Sequence, residues 1–173
     1  MKSKLIIYIV FLTYCLLCSS SYAATQTTSS ITVSVTVQGS FSLMVNSDSF
    51  DFARMAPGQT AEMTRSEGIA VTGASTSGNP WYLKVTAEKP LASGISYIPN
   101  ENFSWYGTSE GSGTWYGAKE RNFADPQEIA YISSADEADT SGKAINNFKF
   151  KLHAPEDTKP GYYTTTVMFT MTE

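Results

Sequence analysis

His153 is the sole histidine of the 173-residue chain, and it closes an apolar alternating stretch at Leu152-His153-Ala154-Pro155. Nucleophilic machinery of the Ser-His or Cys-His kind would rest on that one imidazole, and its position is that of a strand-end surface residue. The cysteines, Cys15 and Cys18, both sit in the apolar N-terminal stretch, so no zinc site of His and Cys ligands can be assembled downstream. Carboxylates for glycoside hydrolysis exist among 16 acidic residues, but such a pair is defined by separation in space, and no spacing marks one. Asp136, Glu137 and Asp139 could touch calcium, without the alternating ligands, central glycine and terminal glutamate of an EF-hand loop. The Gly107–Gly117 stretch is glycine-rich, yet no Gly-Lys-Ser/Thr follows to cradle a phosphate. The expected chemistry is recognition: no enzyme, no metal, no cofactor.

Two groups of residues are candidates for it. Trp105-Tyr106-Gly107 recurs ten residues later as Trp115-Tyr116-Gly117, and a β-hairpin pairing these aromatics is expected. With Trp81, they could form a platform on which sugar rings stack. Adjacent Trp and Tyr point to opposite faces of a strand, so the alternative is that one of each pair packs in the core. The second group is Ile31-Thr-Val33-Ser-Val35-Thr-Val37, four β-branched apolar residues alternating with hydroxyl residues. Such a strand must complete its own sheet or add to a neighbour's.

The elements that position these groups are strands. Residues 1–23 have the form of a cleaved secretory signal: Lys2 and Lys4, an apolar run from Leu5 to Leu17, and Ser21-Tyr22-Ala23 as the cleavage site. Residues 24–30 are a small, polar leader. The remainder, 31–173, is expected to be one domain with no cysteine, stabilised by its core without a disulfide. Strands are expected over Phe41–Val45, Glu62–Val71, Trp81–Ala87, around Tyr97, Phe103–Tyr106, around Tyr131, Ile145–Leu152 and Tyr163–Thr172. Turns fall at Asn46–Ser49 and Pro57-Gly58, a short helix or turn at Asp125–Glu128, and an acidic loop at Asp136–Gly142. Seven to ten short strands without a convincing amphipathic helix predict an all-β, antiparallel, Ig-like β-sandwich. The net charge of −4, more negative once the signal lysines are removed, argues against nucleic acid or an anionic membrane as partner.

Two families share features with this chain. Ser30-Ile31-Thr32-Val33-Ser34-Val35 and the final Pro160-Gly161-Tyr162-Tyr163 to Thr172 resemble the ends of secreted bacterial pilins of the alternate-chaperone, donor-strand type. That resemblance implies an incomplete sandwich whose groove is filled by the N-terminal strand of the next subunit, with Ile31, Val33, Val35 and Val37 as donor residues. Trp81-Tyr82-Leu83 and Tyr163 to Met171 resemble the two motifs of WxL-type cell-wall-binding domains, with Phe169 and Met171 where that family has Trp and Leu. The expected function is that of a secreted structural or adhesive surface protein, assembling with itself or with other surface proteins by strand donation. The alternative is a module binding cell-wall or other polysaccharide through Trp81 or the Trp105, Tyr106, Trp115, Tyr116 cluster.

Overall fold

In the computed structural model, residues 34–35, 40–126, 128–139 and 142–173 are described. Residues 40–173 lie within one compact unit. The expected signal and leader lie outside the described residues.

The elements are β1 (Phe41–Val45), β2 (Thr60–Glu62), β3 (Ile69–Ser75), β4 (Tyr82–Ala87), β5 (Leu91–Ser93), β6 (Ser96–Ile98), a 3-10 turn (Asn100–Asn102), β7 (Phe103–Ser109), β8 (Thr114–Trp115), β9 (Arg121–Asn122), β10 (Ile129–Ile132), α1 (Ala135–Asp139), β11 (Lys143–His153) and β12 (Val167–Thr172). One sheet runs β1-β3-β11-β7-β9 with β2 also on β11; the second runs β12-β4-β10-β8; β5 and β6 form a separate hairpin. Every pairing is antiparallel. The all-β sandwich expected from the alternation is therefore the fold.

β11 is the spine. Its apolar residues alternate with Asn147, Lys149 and Lys151, so Ala144, Phe148, Phe150 and Leu152 are buried while the lysines stay half-exposed on the other face. β7 covers one edge over Asn146–Leu152, and β3 and β2 share the other. The second sheet meets it through rings: Phe148 lies 4.9 Å from Phe169 of β12 and 5.2 Å from Trp115 of β8. Trp81 packs over Gly73 of β3, where a Cβ would come within 2.8 Å of the indole.

Three local expectations are corrected. The expected strand Glu62–Val71 is split, because Arg65 to Gly68 turns, with Gly68 at φ 77° donating to the Arg65 carbonyl. The Trp-Tyr-Gly repeat is no hairpin: β7 belongs to the six-stranded sheet and β8 to the other. The glycine-rich loop between them crosses from sheet to sheet, and Gly111 and Gly113 lie against the Tyr131 ring where any Cβ would collide. Finally, a helix stands at Ala135–Asp139 where an acidic loop was expected from Asp136, while of the helix or turn expected from Asp125 it is the turn that forms, the Asp125 amide donating to the Asn122 carbonyl. Ser134 and Glu137 form a reciprocal cap, the Glu137 amide donating to Ser134 Oγ (3.2 Å) and the Ser134 amide to Glu137 Oε2 (2.9 Å).

The same Glu137 carboxylate turns inward and accepts from the Tyr131 hydroxyl (2.6 and 2.7 Å) and the Ser112 amide (2.8 Å), tying the crossing loop to β10. Burial, and then the adjacent carboxylate, push the Tyr131 phenol well above its ordinary value of 10.0. A raised native value means that stability is intact below about pH 10 and declines above it, because the unfolded chain releases the proton first. We expect Tyr131→Phe to lower stability by about 1–3 kcal/mol at neutral pH. The variant should also lose about 1.4 kcal/mol per pH unit of the slope above pH 10, read by denaturant unfolding across that range.

Candidate functional site

The described part of the sandwich is open along one side. β12 pairs only with β4 and β1 only with β3, so each ends its sheet, and these two edge strands touch. Between and below them runs a groove of about 970 Å³.

One wall is the irregular segment 46–59. Its Phe50-Asp51-Phe52 triplet alternates as a strand would, sending both rings inward: Phe50 stacks on Phe150 at 4.5 Å and Phe52 meets Phe103 edge-on at 6.0 Å. Asp51 faces out and fixes the segment, its carbonyl accepting the Thr64 amide (3.1 Å) and its carboxylate the Ala53 amide (3.0 Å). Ala53 is held at φ 57°, a region costly for a residue with a Cβ. The amide of Gly58 donates to the Ala154 carbonyl and that of Ala154 to the Gln59 carbonyl, closing the segment onto the end of β11.

The other wall is residues 158–169. From Tyr163 to Met171 half-buried and exposed positions alternate strictly. None of the inward set, Tyr163, Thr165, Val167, Phe169 and Met171, reaches the complete burial of its counterparts on β11. The floor is apolar, formed by Leu91, Ile98, Phe103 and Leu152. Asp48, Asp51, Arg54 and Lys159 line the groove with both signs of charge beside its apolar floor, and among the described residues the outer edge of β12 has no strand partner.

Of the candidate donor residues, Ile31, Val33 and Val37 lie outside the described residues, and Val35 is 84% exposed. The expected aromatic platform is not assembled. Trp81 and Trp105 are buried core side chains with no ring face left for a sugar, because each sits at an inward position of its sheet. Trp105 meets Trp115 across the sandwich at 6.0 Å, and Trp115 is half-buried, its indole donating to the Gly107 carbonyl at 3.1 Å. Tyr106 is half-buried beside Glu62; burial first, and that carboxylate second, raise its phenol to about 12. Tyr116 alone of the five is exposed, at 36%. It lines a shallow hollow of about 420 Å³ whose polar groups engage one another: Arg121 with Asp125 at 3.3 Å, and Glu120 with Lys151 and Ser104 at 2.7 Å each. These contacts hold Glu120 below the ordinary carboxylate range, the Lys151 hydrogen bond first.

His153 is exposed at the end of β11 with Nδ1 2.9 Å from Thr60 Oγ1. Among the described residues, no three His, Cys, Asp or Glu side chains gather to hold a metal, and no helix is long and apolar enough to cross a membrane. The groove residues Phe50, Phe52 and Met55 escaped the sequence reading; the Phe-x-Phe alternation was their one visible signal.

No protein-family model matches the chain, and no curated protein sequence matches it. Among solved structures, a family 123 glycoside hydrolase from Clostridium perfringens superposes with a TM-score of 0.40 and 14% identity, over 77% of this chain and 25% of that one. The buried indoles make a direct prediction. Of the 3 tryptophans, iodide should reach the half-buried Trp115 and leave the fluorescence of Trp81 and Trp105 unquenched, and soluble glycans should leave all three unchanged. A Stern–Volmer plot with most of the emission accessible would contradict this placement.

Proposed function

We propose that this protein is a non-enzymatic extracellular structural subunit that assembles with copies of itself, the groove beside β12 accepting the Ile31–Val37 strand of another copy. The single observation that carries this reading is the open apolar groove edged by β12, whose inward side chains are left half-buried. A strand added along Tyr163–Phe169 would satisfy the main-chain groups of that edge and cover those side chains at once.

The sequence of the donor fits. Seven extended residues span about 23 Å, the length of the seven residues Tyr163–Phe169, and alternate side chains recur about every 7 Å along one face. Ile31, Val33, Val35 and Val37 would enter the groove, while Thr32, Ser34 and Thr36 face water. Polysaccharide binding, the competing function, is left with Tyr116 as its single exposed ring from the aromatic cluster, beside the Arg121–Asp125 and Glu120–Lys151 pairs.

The secreted chain is expected to self-associate with increasing concentration. Val35→Asp should weaken association by about 100-fold or more, because a carboxylate would enter an apolar groove. Since Val35 is exposed in the single copy, the same change should leave the melting temperature within about 2 °C. Sedimentation velocity and thermal unfolding measure both. A chain that remains monomeric at high concentration, and whose Val35→Asp variant unfolds, would show that the strand belongs to its own sheet.

A further inference from the structure

The β5–β6 hairpin is built for contact at its tip. Leu91 and Ile98, at its base, are buried, whereas Ile95 beside Gly94 is 98% exposed and Tyr97 is 66% exposed. The tip is joined to the groove wall. Ala92 and Thr164 exchange main-chain hydrogen bonds of 3.0 and 3.1 Å, and Gly161 lies so close to Ser93 that a Cβ there would come within 2.5 Å of its hydroxyl. Tyr162, next along, is 85% exposed. Isolated apolar residues on a surface need no explanation, but three large ones at one spot mark an interaction surface.

Chain length says what reaches it. A donor strand is tethered to its own body by Gln38, Gly39 and Ser40 before β1 begins at Phe41, and three extended residues span at most about 11 Å. The donating body must therefore stand close to the groove end where Val37 emerges. A strand running antiparallel to Tyr163–Phe169 emerges at Tyr163, beside Tyr162 and the hairpin. A parallel strand would emerge toward Thr172, beside β1, whose Phe41, Met44 and Val45, at 46%, 66% and 42%, are as a set less exposed than Ile95, Tyr97 and Tyr162, at 98%, 66% and 85%.

We infer that Ile95, Tyr97 and Tyr162 form a second contact between successive copies, a knob on which the body of the strand-donating copy rests, and that the strand enters antiparallel to β12. This rests on the strand-donation reading and adds to it a rigid body-to-body interface. A three-residue linker between strand and β1 would not by itself fix the angle between copies; a packed knob does.

Introduced cysteines test both levels separately, since residues 24–173 contain none of their own. Secreted single-cysteine variants are mixed in pairs, oxidised, and analysed on non-reducing gels. Val35→Cys with Val167→Cys reports groove occupancy, Ser40→Cys with Ile95→Cys reports the knob, and Ser40→Cys with Thr172→Cys reports the opposite entry. The expected result is crosslinking of the first two pairs and none of the third. Crosslinking of the first and third, without the second, would overturn the knob while the groove reading stands. No crosslinking of the first pair would remove the groove reading and the knob with it. In addition, Ile95→Ser combined with Tyr162→Ser should raise the half-association concentration about tenfold or more, with Val35→Cys still bridging to Val167→Cys at high concentration. An unchanged association curve would overturn the inference, as would a loss confined to glycan or vesicle retention.

Discussion

Phe148 is the point at which the two sheets are held in register. It sits at the inward face of β11, fully buried, and four rings converge on it: Trp105 and Phe150 from its own sheet, Trp115 and Phe169 from the other. Because a strand's side chains alternate, placing Phe148 inside also places Ala144, Asn146, Phe150 and Leu152 inside and sends Lys149 and Lys151 out. A slip of one residue would bury two lysines and expose two phenylalanines, so this register governs β3, β7 and β2, which pair with β11, and through the rings it governs the second sheet. In a domain with no disulfide to restrain it, that aromatic layer supplies the specificity of the fold as well as much of its burial.

The layer also explains where the fold stops. The rings are dense between β7, β11 and β8 and thin out toward β1 and β12, where inward residues are only half-covered. Instead of a further strand, segment 46–59 presses Phe50 and Phe52 against Phe150 and Phe103. It fills the interior with two rings without supplying a ladder of main-chain hydrogen bonds to β12. Among the described residues the consequence is a groove with an apolar floor and one unpaired edge, which natural sheets normally blunt with charge, proline or a bulge. From Val167 to Thr172 β12 carries none of these charges or prolines.

How much of this was legible follows from the range of the interactions. Period-two alternation is a local property, and β4 and β11 were read directly because each buries alternate residues, whereas the last strand, expected from Tyr163, begins at Val167 and leaves its inward face half-buried. The turn inside Glu62–Val71 was carried by Arg65-Ser66-Glu67-Gly68, but a glycine inside an otherwise continuous pattern was outweighed by the apolar residues flanking it. The helix at Ala135 announced itself by the Ser134-x-x-Glu137 spacing, hidden because the segment is acidic rather than amphipathic. The Trp-Tyr-Gly repeat misled for a different reason. Hairpin pairing was inferred from proximity in sequence, whereas Gly111 and Gly113 let the loop pass over Tyr131 and change sheets. That is decided by the contacts of Ser112 with Glu137 and of Gly113 with Tyr131, 25 and 18 residues apart. The groove was invisible for the same reason: its walls come from residues 46–59 and 158–169, and only the β11 spine brings them together.

The interior itself bears on why assembly and stability would be coupled. Asn146 is completely buried, and neither its carbonyl nor its amide finds a hydrogen-bond partner; the Trp81 indole nitrogen is likewise unpaired. Each such group costs about 1–3 kcal/mol, a large fraction of the 5–15 kcal/mol by which a domain is stable. A sandwich that tolerates these and also leaves Val167, Phe169 and Met171 half-covered has stability still to gain from an added strand. Anything that binds the folded form and not the unfolded one raises its stability in proportion to the logarithm of its concentration. Under the proposed assembly, a copy seated between two neighbours is thus more stable than a free one. Under that proposal the unpaired buried groups and the open edge work in the same direction, leaving the free subunit less stable than the assembled one.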